Sequence, residues 1–412
     1  MEILYAICCG LDVHKDTVTA CLRRREADGQ VAQELRTYGT TTAELLALLD
    51  WLVEAGCTHV AMESTGVYWK PVFNLLEGSF EQLLVVNAQH VKALPGRKTD
   101  LKDAEWLAQL LQHGLLRGSF IPPAPIRELR EYTRYRKQSI RGRADEANRI
   151  KKLLEVANLK LGSVATDVLG VSGRAMLAAL VRGESEPTAL ADLAKGRLRK
   201  KRPQLIAALT GRITPAQRAL LGQQLAHVEF LDRAIAALDA QIAALLRPYQ
   251  EDAARLCTVT GIEQRTAEVI LAELGVDMAV FPSDHHCASW AGLCPGNNES
   301  AGKHHSGKTR KGSPWLRAAL IAAAWAASRT KSYLGAQYHR LARRRGKKKA
   351  LVAVAHTILI IAYHILKDGT TYQDLGHGYF DTRDTARLQR RLIARLEALG
   401  LRVTVEPIPQ AA

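Results

Sequence analysis

Hydrophobic positions in the first part of the chain change period several times. Residues 6–12 (Ala-Ile-Cys-Cys-Gly-Leu-Asp) are apolar at nearly every position and predict a buried strand that ends in an acid. Residues 17–22 and 30–37 predict two further strands, joined by short turns of which the second carries Asp28-Gly29. From 42 to 55 the spacing becomes helical, with Thr41 or Thr42 as the cap. A strand over 59–62, a helix over 69–76 and a strand over 83–86 follow. Trp106, Leu107, Leu110 and Leu111 then mark another helix. Three strands in a meander followed by alternating helices and strands predict a mixed sheet with helices on its faces.

The pattern shifts at Pro122-Pro123-Ala124-Pro125, where a domain boundary is expected: 1–121 forms an α/β domain and the rest is helical. Residues 127–161 read as a long basic helix, with Arg130, Arg134, Arg136, Lys137, Arg141, Arg143 and Arg149 beside an imperfect apolar stripe. Such a helix either tracks a nucleic-acid backbone, Arg134 and Arg141 included, or is a solvated face. A second cluster, 195–202, is expected on a loop. Residues 216–246 keep a heptad, with Leu221, Val228, Ile235 and Ile242 at a and Gln224, Leu231, Leu238 and Leu245 at d. This predicts a coiled coil, paired with the basic helix or with a second subunit, within a central region 122–250.

Residues 251–380 predict a third, mostly helical domain. Val259-Thr260-Gly261-Ile262 and the helical stretch after it resemble a helix-hairpin-helix, in which a Gly turn lets a helix N-terminus approach phosphate; an ordinary packing unit is the alternative. Residues 350–366 form a near-spanning apolar run, but His356 and His364 interrupt it, and a buried core helix is expected rather than a membrane span. The tail, 381–412, predicts a basic amphipathic helix with Leu388, Leu392, Leu396 and Leu399 on one side, ending in a loose terminus.

Composition narrows the partners. The 412 residues carry a net charge of +16, which points to a polyanion. The start has neither a basic leader nor a long apolar run, so a membrane partner is not expected. Seven cysteines without a paired C-x-x-C frame are expected to be reduced and mostly buried, in the cytoplasm. The spacing of His285, His286, Cys287, Cys294, His304 and His305 matches no standard zinc site.

Chemistry enters with the acids. Asp100 and Asp103, three apart before a helical pattern, share a face, and two such carboxylates repel unless a cation sits between them. Asp12 ends the first predicted strand and Glu63 follows the fourth. If those strands are neighbours, four carboxylates converge on one end of the sheet, a site for one or two Mg2+ (or Mn2+) ions suited to phosphodiester chemistry. Taken singly, each acid also reads as a turn former or a helix N-terminal residue. Downstream, 290–313 is rich in Gly, Ser and cations without hydrophobic periodicity. A Ser beside Ala-Gly-Lys is a candidate nucleophile, with Lys303, Lys308, Arg310 and Lys311 around the phosphate it would attack.

Gly10-Leu11-Asp12-Val13-His14-Lys15, Met62-Glu63-Ser64-Thr65-Gly66 and Lys98-Thr99-Asp100-Leu101-Lys102-Asp103-Ala104 resemble the three blocks of the DEDD insertion-sequence transposases of the IS110 group, related to the Piv DNA invertase. Residues 290–312, followed by Trp315-Leu316-Arg317, resemble that family's C-terminal domain. The resemblance implies a RuvC-like (RNase H-like) domain whose Asp12, Glu63, Asp100 and Asp103 bind Mg2+. It also implies a catalytic serine that links covalently to DNA. That serine falls on Ser300, in Ser-Ala-Gly-Lys where the family has a Ser-Gly-Gly-Lys-like element, with Ser306 as the fallback. It further implies donor and target double-stranded DNA, a noncoding bridge RNA, a homo-oligomer (dimer or tetramer) with acids and serine from different subunits, and a bacterial protein at the nucleoid. Two rivals stand beside this transposase reading: a RuvC-like nuclease that hydrolyses DNA junctions with water, and a non-catalytic nucleic-acid-binding scaffold.

Overall fold

The near-continuous apolar run predicted for the first strand is explained by its place: it is the middle strand of a five-stranded sheet covered on both faces. In the computed structural model β1 (Ile7–Val13), β2 (Thr17–Arg25), β3 (Val31–Gly39), α1 (Thr42–Glu54), β4 (His59–Glu63), α2 (Trp69–Leu76), β5 (Gln82–Val86) and α3 (Asp103–Gln112) follow in order. The structure describes residues 2–64, 66–87, 103–296, 298–300, 303–383 and 385–406. It divides into two units, Met1–Ile121 and Pro122–Ala412.

The strand order is β3-β2-β1-β4-β5. The meander is antiparallel, whereas β4 runs parallel to both β1 and β5. Strands one and four are therefore neighbours, in register from Cys8↔His59 to Leu11↔Met62. Alternation along β1 sorts its side chains. Cys9, Leu11 and Val13 join the core made with Leu48, Leu52 and Phe73 of α1 and α2. Cys8 and Gly10 face α3 instead. Thr41 is the N-cap residue of α1, although its side chain makes no cap bond. Strands β2 and β3 outrun their apolar pattern, pairing as far as Arg25↔Val31, because a ladder needs backbone groups and not apolar side chains. Burial pushes the Cys8, Cys21 and Cys57 thiols up to about 12, so they behave as small hydrophobes.

In the second unit, α4 (Ala124–Val156) opens with Pro123 as its N-cap residue. After it come α5 (Leu161–Val164), α6 (Val171–Arg182), α7 (Pro187–Asp192), α8 (Arg202–Leu209) and α9 (Pro215–Leu245), whose start is a capping box between Thr214 and Gln217. Cluster 195–202, expected on a loop, is instead a 3-10 turn (Gly196–Lys201) leading into α8. The heptad side of α9 is buried at Leu221, Gln224, Val228, Leu231 and Ile242. Of the two partners left open by its pattern, it packs on the basic helix α4 of its own chain. Ion pairs fix the direction: Arg136 meets Asp239, Arg143 meets Asp232 and Glu146 lies beside His227, so the helices are antiparallel.

The remaining elements are α10 (Gln250–Cys257), α11 (Gln264–Leu274), α12 (Asp284–Trp290), β6 (Asn298–Ser300), β7 (Lys303–Ser306), α13 (Pro314–Ala327), α14 (Tyr333–Arg345), α15 (Lys347–Asp368), α16 (Tyr379–Thr382) and α17 (Thr385–Glu397). Helix α15 is long and apolar enough to cross a membrane by length and composition. Its Val354, Ala355, Ile358, Leu359 and Ala362 are fully buried, and it packs against α10, α12, α13 and α14. The turn expected to resemble a helix-hairpin-helix joins α10 to α11 with Gly261 at φ 95°. A Cβ there would lie 2.4 Å from the Ala323 carbonyl oxygen, so the glycine admits the backbone of α13.

The basic helix is corrected in one respect. Arg134, expected on a nucleic-acid backbone, forms a bidentate pair with Glu273 of α11 at 2.8 and 2.9 Å. Glu273 is 1% exposed and also accepts from the Ser313 hydroxyl that caps α13. Arg130 donates to the Ala272 and Glu273 carbonyls, and buried Arg136 ion-pairs with Glu268 at 2.6 Å, close but not aligned as a hydrogen bond. Arg141 lies exposed. Removing Glu273 strands buried guanidinium charge. Glu273→Ala should therefore destabilise the second unit by about 3–5 kcal/mol in denaturant unfolding, against about 0.5 kcal/mol or less for Arg141→Ala.

Candidate functional site

Two strand ends and one helix start build the first site. Glu63 is the last residue of β4, not one beyond it, and Asp12 is the last but one of β1. The registered pair Leu11↔Met62 comes just before them, so both acids stand at the carboxyl ends of adjacent parallel strands. Two residues earlier on each strand, Gly10 and Ala61 face α3: Ala61 clusters with Leu111, and a Cβ on Gly10 would lie 2.4 Å from both Ala104 O and Ala108 N. A period of two then puts Asp12 and Glu63 on that same face.

The approach also sets direction. The Cys8 thiol donates to the Ala108 carbonyl at 3.6 Å, while Gly10 touches Ala104, one turn nearer the start of α3. Advancing along β1 toward Asp12 thus moves back along the helix toward Asp103, its first residue. Asp103 is exposed, and Asp12 is half-buried with His14 Nε2 3.1 Å from its Oδ2. Asp100 lies outside the described residues. Among the described residues no group of three or more His, Cys, Asp or Glu could hold a metal ion. The donors fit a hard divalent cation by type and by placement at one edge, but the described ones do not complete a ligand set.

Around the candidate serine, the Gly-, Ser- and cation-rich segment without hydrophobic periodicity contains a β-hairpin. β6 and β7 pair antiparallel, with Asn298↔Ser306 and Ser300↔Lys303 as partners. A bridge between Pro295 and Thr309 and a Gly296 N to Lys308 O bond of 2.8 Å close its root. Ser300 is thus at the far end of β6, and Ser306 is at the root end of β7. Lys303, Lys308, Arg310 and Lys311 are all exposed, Lys303 directly across from Ser300. Acids and hairpin belong to different units, so the structure assembles each by itself.

Beside the root opens a cleft of about 990 Å3 that the sequence pattern did not reveal. Lys308 and Thr309 of the hairpin line it together with Arg317 of α13, Gln337 of α14, and Lys348, Lys349 and His356 of α15. Of its lining residues, the sequence had singled out Lys308 as a cation near the candidate serine and His356 as an interruption of an apolar run, without bringing the two together.

Family comparisons agree on both parts. A family model for IS110-type DEDD transposases, described as "Transposase", matches residues 9–158. A second, described as "Transposase IS116/IS110/IS902 family", matches 253–340. Together they span more than half of the 412 residues and hold all four acids and both serines. The "Insertion element IS110 uncharacterized 43.6 kDa protein" of Streptomyces coelicolor is 35% identical over 146 residues, 33% of this chain and 34% of that protein. The matched stretch is thus about a third of the curated relative's length.

The contact between β1 and α3 leaves no room for a side chain. Gly10→Val should lower the stability of the first unit by about 1–3 kcal/mol or more, read as a drop in its thermal unfolding midpoint.

Proposed function

Starting from a chain that belongs to the IS116/IS110/IS902 transposase family, we propose that it cuts and rejoins DNA strands through a phosphoserine intermediate. The observation that carries the metal-dependent DNA chemistry of this reading is the position of Asp12 and Glu63 at the carboxyl ends of adjacent parallel strands, on the face covered by the helix that Asp103 begins. A scaffold has no need to gather carboxylates at one edge of a sheet, whereas metal-dependent phosphodiester chemistry does.

In this reading Asp12, Glu63, Asp100 and Asp103 hold Mg2+ or Mn2+. A divalent ion, when bound, polarises the scissile phosphate and balances charge that develops on it. The Ser300 hydroxyl attacks phosphorus; a serine–phosphate bond forms as a deoxyribose oxygen leaves, taking up a proton to become a free hydroxyl end. A hydroxyl of the strand to be joined then displaces the serine, so the phosphodiester energy is conserved and no ATP is needed. Lys303, Lys308, Arg310 and Lys311 offset phosphate charge near the serine. Donor and target double-stranded DNA are the substrates, with a noncoding bridge RNA as the guide. A dimer or tetramer supplies the acids and the serine from different subunits. Ser306 is the fallback nucleophile, and a hydrolytic nuclease is the rival reading.

Three outcomes test it. A covalent protein–DNA adduct should form with wild type in cells carrying the complete element and vanish in Ser300→Ala; an adduct that persists and maps to Ser306 moves the nucleophile. If DNA is cut and neither protein forms an adduct, hydrolysis is the better account. Asp100→Ala should abolish cleavage while DNA binding persists, and retained cleavage removes the acids from the mechanism. Mg2+ at about ten times its Kd should stabilise the wild-type first unit by about 1.4 kcal/mol in thermal unfolding. Asp12→Asn should lose most of that gain.

A further inference from the structure

Strand β3 ends the sheet, and its outer edge is open. Backbone bonds in the meander fix which way each residue faces. Arg25 donates its N–H to the Ala6 carbonyl at 2.8 Å and the Thr17 carbonyl accepts from His14 at 2.9 Å, so the odd-numbered residues of β2 bond toward β1. Glu26 donates to the Gln30 carbonyl at 2.9 Å, so the even-numbered ones bond toward β3. With Leu22↔Glu34 and Ala20↔Arg36 in register, the even residues of β3 face β2, and Gln33, Leu35 and Thr37 aim N–H and C=O away from the sheet. Gly39 aims outward too, but its N–H is taken by the Glu44 carboxylate at 3.3 Å. Among the described residues nothing bonds the outward groups of the other three. Helices do not cover them either, since 32–37 are exposed at every position, Leu35 included.

A row of unpaired backbone groups is a template for another strand, and the side chains on it decide which strand fits. Laid antiparallel against its own copy with a two-fold at Leu35, the sequence Gln33-Glu34-Leu35-Arg36-Thr37 matches itself. Odd positions meet odd positions, so the outward groups of Leu35 bond to Leu35 of the copy and those of Gln33 to Thr37. On the face toward α1, Glu34 comes opposite Arg36 of the copy. Arg36 is already held there, over the Trp51 ring at 4.6 Å and on Glu34 of its own strand at 2.8 Å, so the charges across the joint alternate in sign. On the other face, shared with Cys21, the two Leu35 side chains meet. Moving the two-fold one residue either way sets Glu34 against Glu34 or Arg36 against Arg36, and like charges directly opposite are destabilising. Charges that guard an edge repel a copy of themselves; these attract one in a single register.

We propose that β3 pairs antiparallel with β3 of a second copy of this chain, centred on Leu35, joining two sheets into one of ten strands. The inference rests on the multimer of the transposase reading and deepens it by naming one of its contacts. A two-fold perpendicular to the sheet keeps both acid sites on one face. With β2 and β3 of each copy between them, the two β1 strands lie five strand spacings apart, about 24 Å. Two sites so placed open toward the same side.

The test is residue-resolved amide hydrogen exchange on the full-length protein over a range of concentrations, with its mass in solution measured alongside. The Gln33, Leu35 and Thr37 amides should exchange freely in dilute protein and become protected as it associates. The Glu34 and Arg36 amides, bonded to β2, should stay protected throughout and report an intact fold. Glu34→Arg or Arg36→Glu alone should require about tenfold more protein for the same protection, and the double swap should restore it. The proposal is overturned if the three odd amides exchange freely in a multimer, an outcome that leaves the transposase reading standing on another contact. Protection that does not change with concentration also overturns it, since another part of the same chain then covers the edge. Single swaps that associate like wild type overturn the register. A protein that stays monomeric at every concentration overturns this contact and the multimer together.

Discussion

Glu273, sealed from solvent on α11, is the point through which the second unit is tied. Its carboxylate receives both arms of Arg134 and the hydroxyl that caps α13, while its own backbone carbonyl receives Arg130. Farther along α4, Arg136 meets Glu268 and Asp239, and Arg143 meets Asp232, which Arg174 of α6 also holds. Two long antiparallel helices joined along an apolar seam could pack in more than one register. Slipping by one turn, about 5.4 Å, would take Asp239 away from buried Arg136 and Asp232 away from Arg143. Hydrophobic burial holds α4 and α9 together, and the ion pairs choose which register they hold.

The first unit solves a similar problem without charge. There α3 is seated by backbone against Gly10, closer than any side chain permits, and the seat determines which turn of the helix reaches the strand ends. The geometry of the acids is thus inherited from a glycine two residues before Asp12. An error of one residue in strand pairing would turn Asp12 and Glu63 to the opposite face, into the core formed with Leu48 and Phe73.

Much of this was legible in the pattern of the chain. Alternation and apolar runs located all five strands of the sheet, and the meander followed by βα units gave a mixed sheet; that β1 lies beside β4 was only a condition in the sequence, which the pairing meets. Periodicity also found the heptad face of α9. What it could not find was the fate of a charge. Arg134 and Arg141 are alike in sequence, yet one is locked to Glu273 and the other is exposed; the difference lies in an acid 139 residues away. The hairpin of β6 and β7 was hidden because its strands are three and four residues of polar type, too short and too hydrophilic for a period of two to stand out. The cleft escaped for a third reason: its wall is assembled from three helices and a hairpin, and no local window contains it.

The ladder on α4 also bears on how the protein handles salt. Contacts to a nucleic-acid backbone weaken steeply as ions are added, since each releases counterions. Pairs with a buried member, such as Arg136–Glu268 and Arg134–Glu273, are screened less than contacts at the surface. Each internal pair is neutral, so the +16 surplus falls on the cations left at the surface. Added salt would then weaken the hold of the surface cations on any anion and leave the framework standing, because the charges at the surface and the charges that brace the fold meet different surroundings.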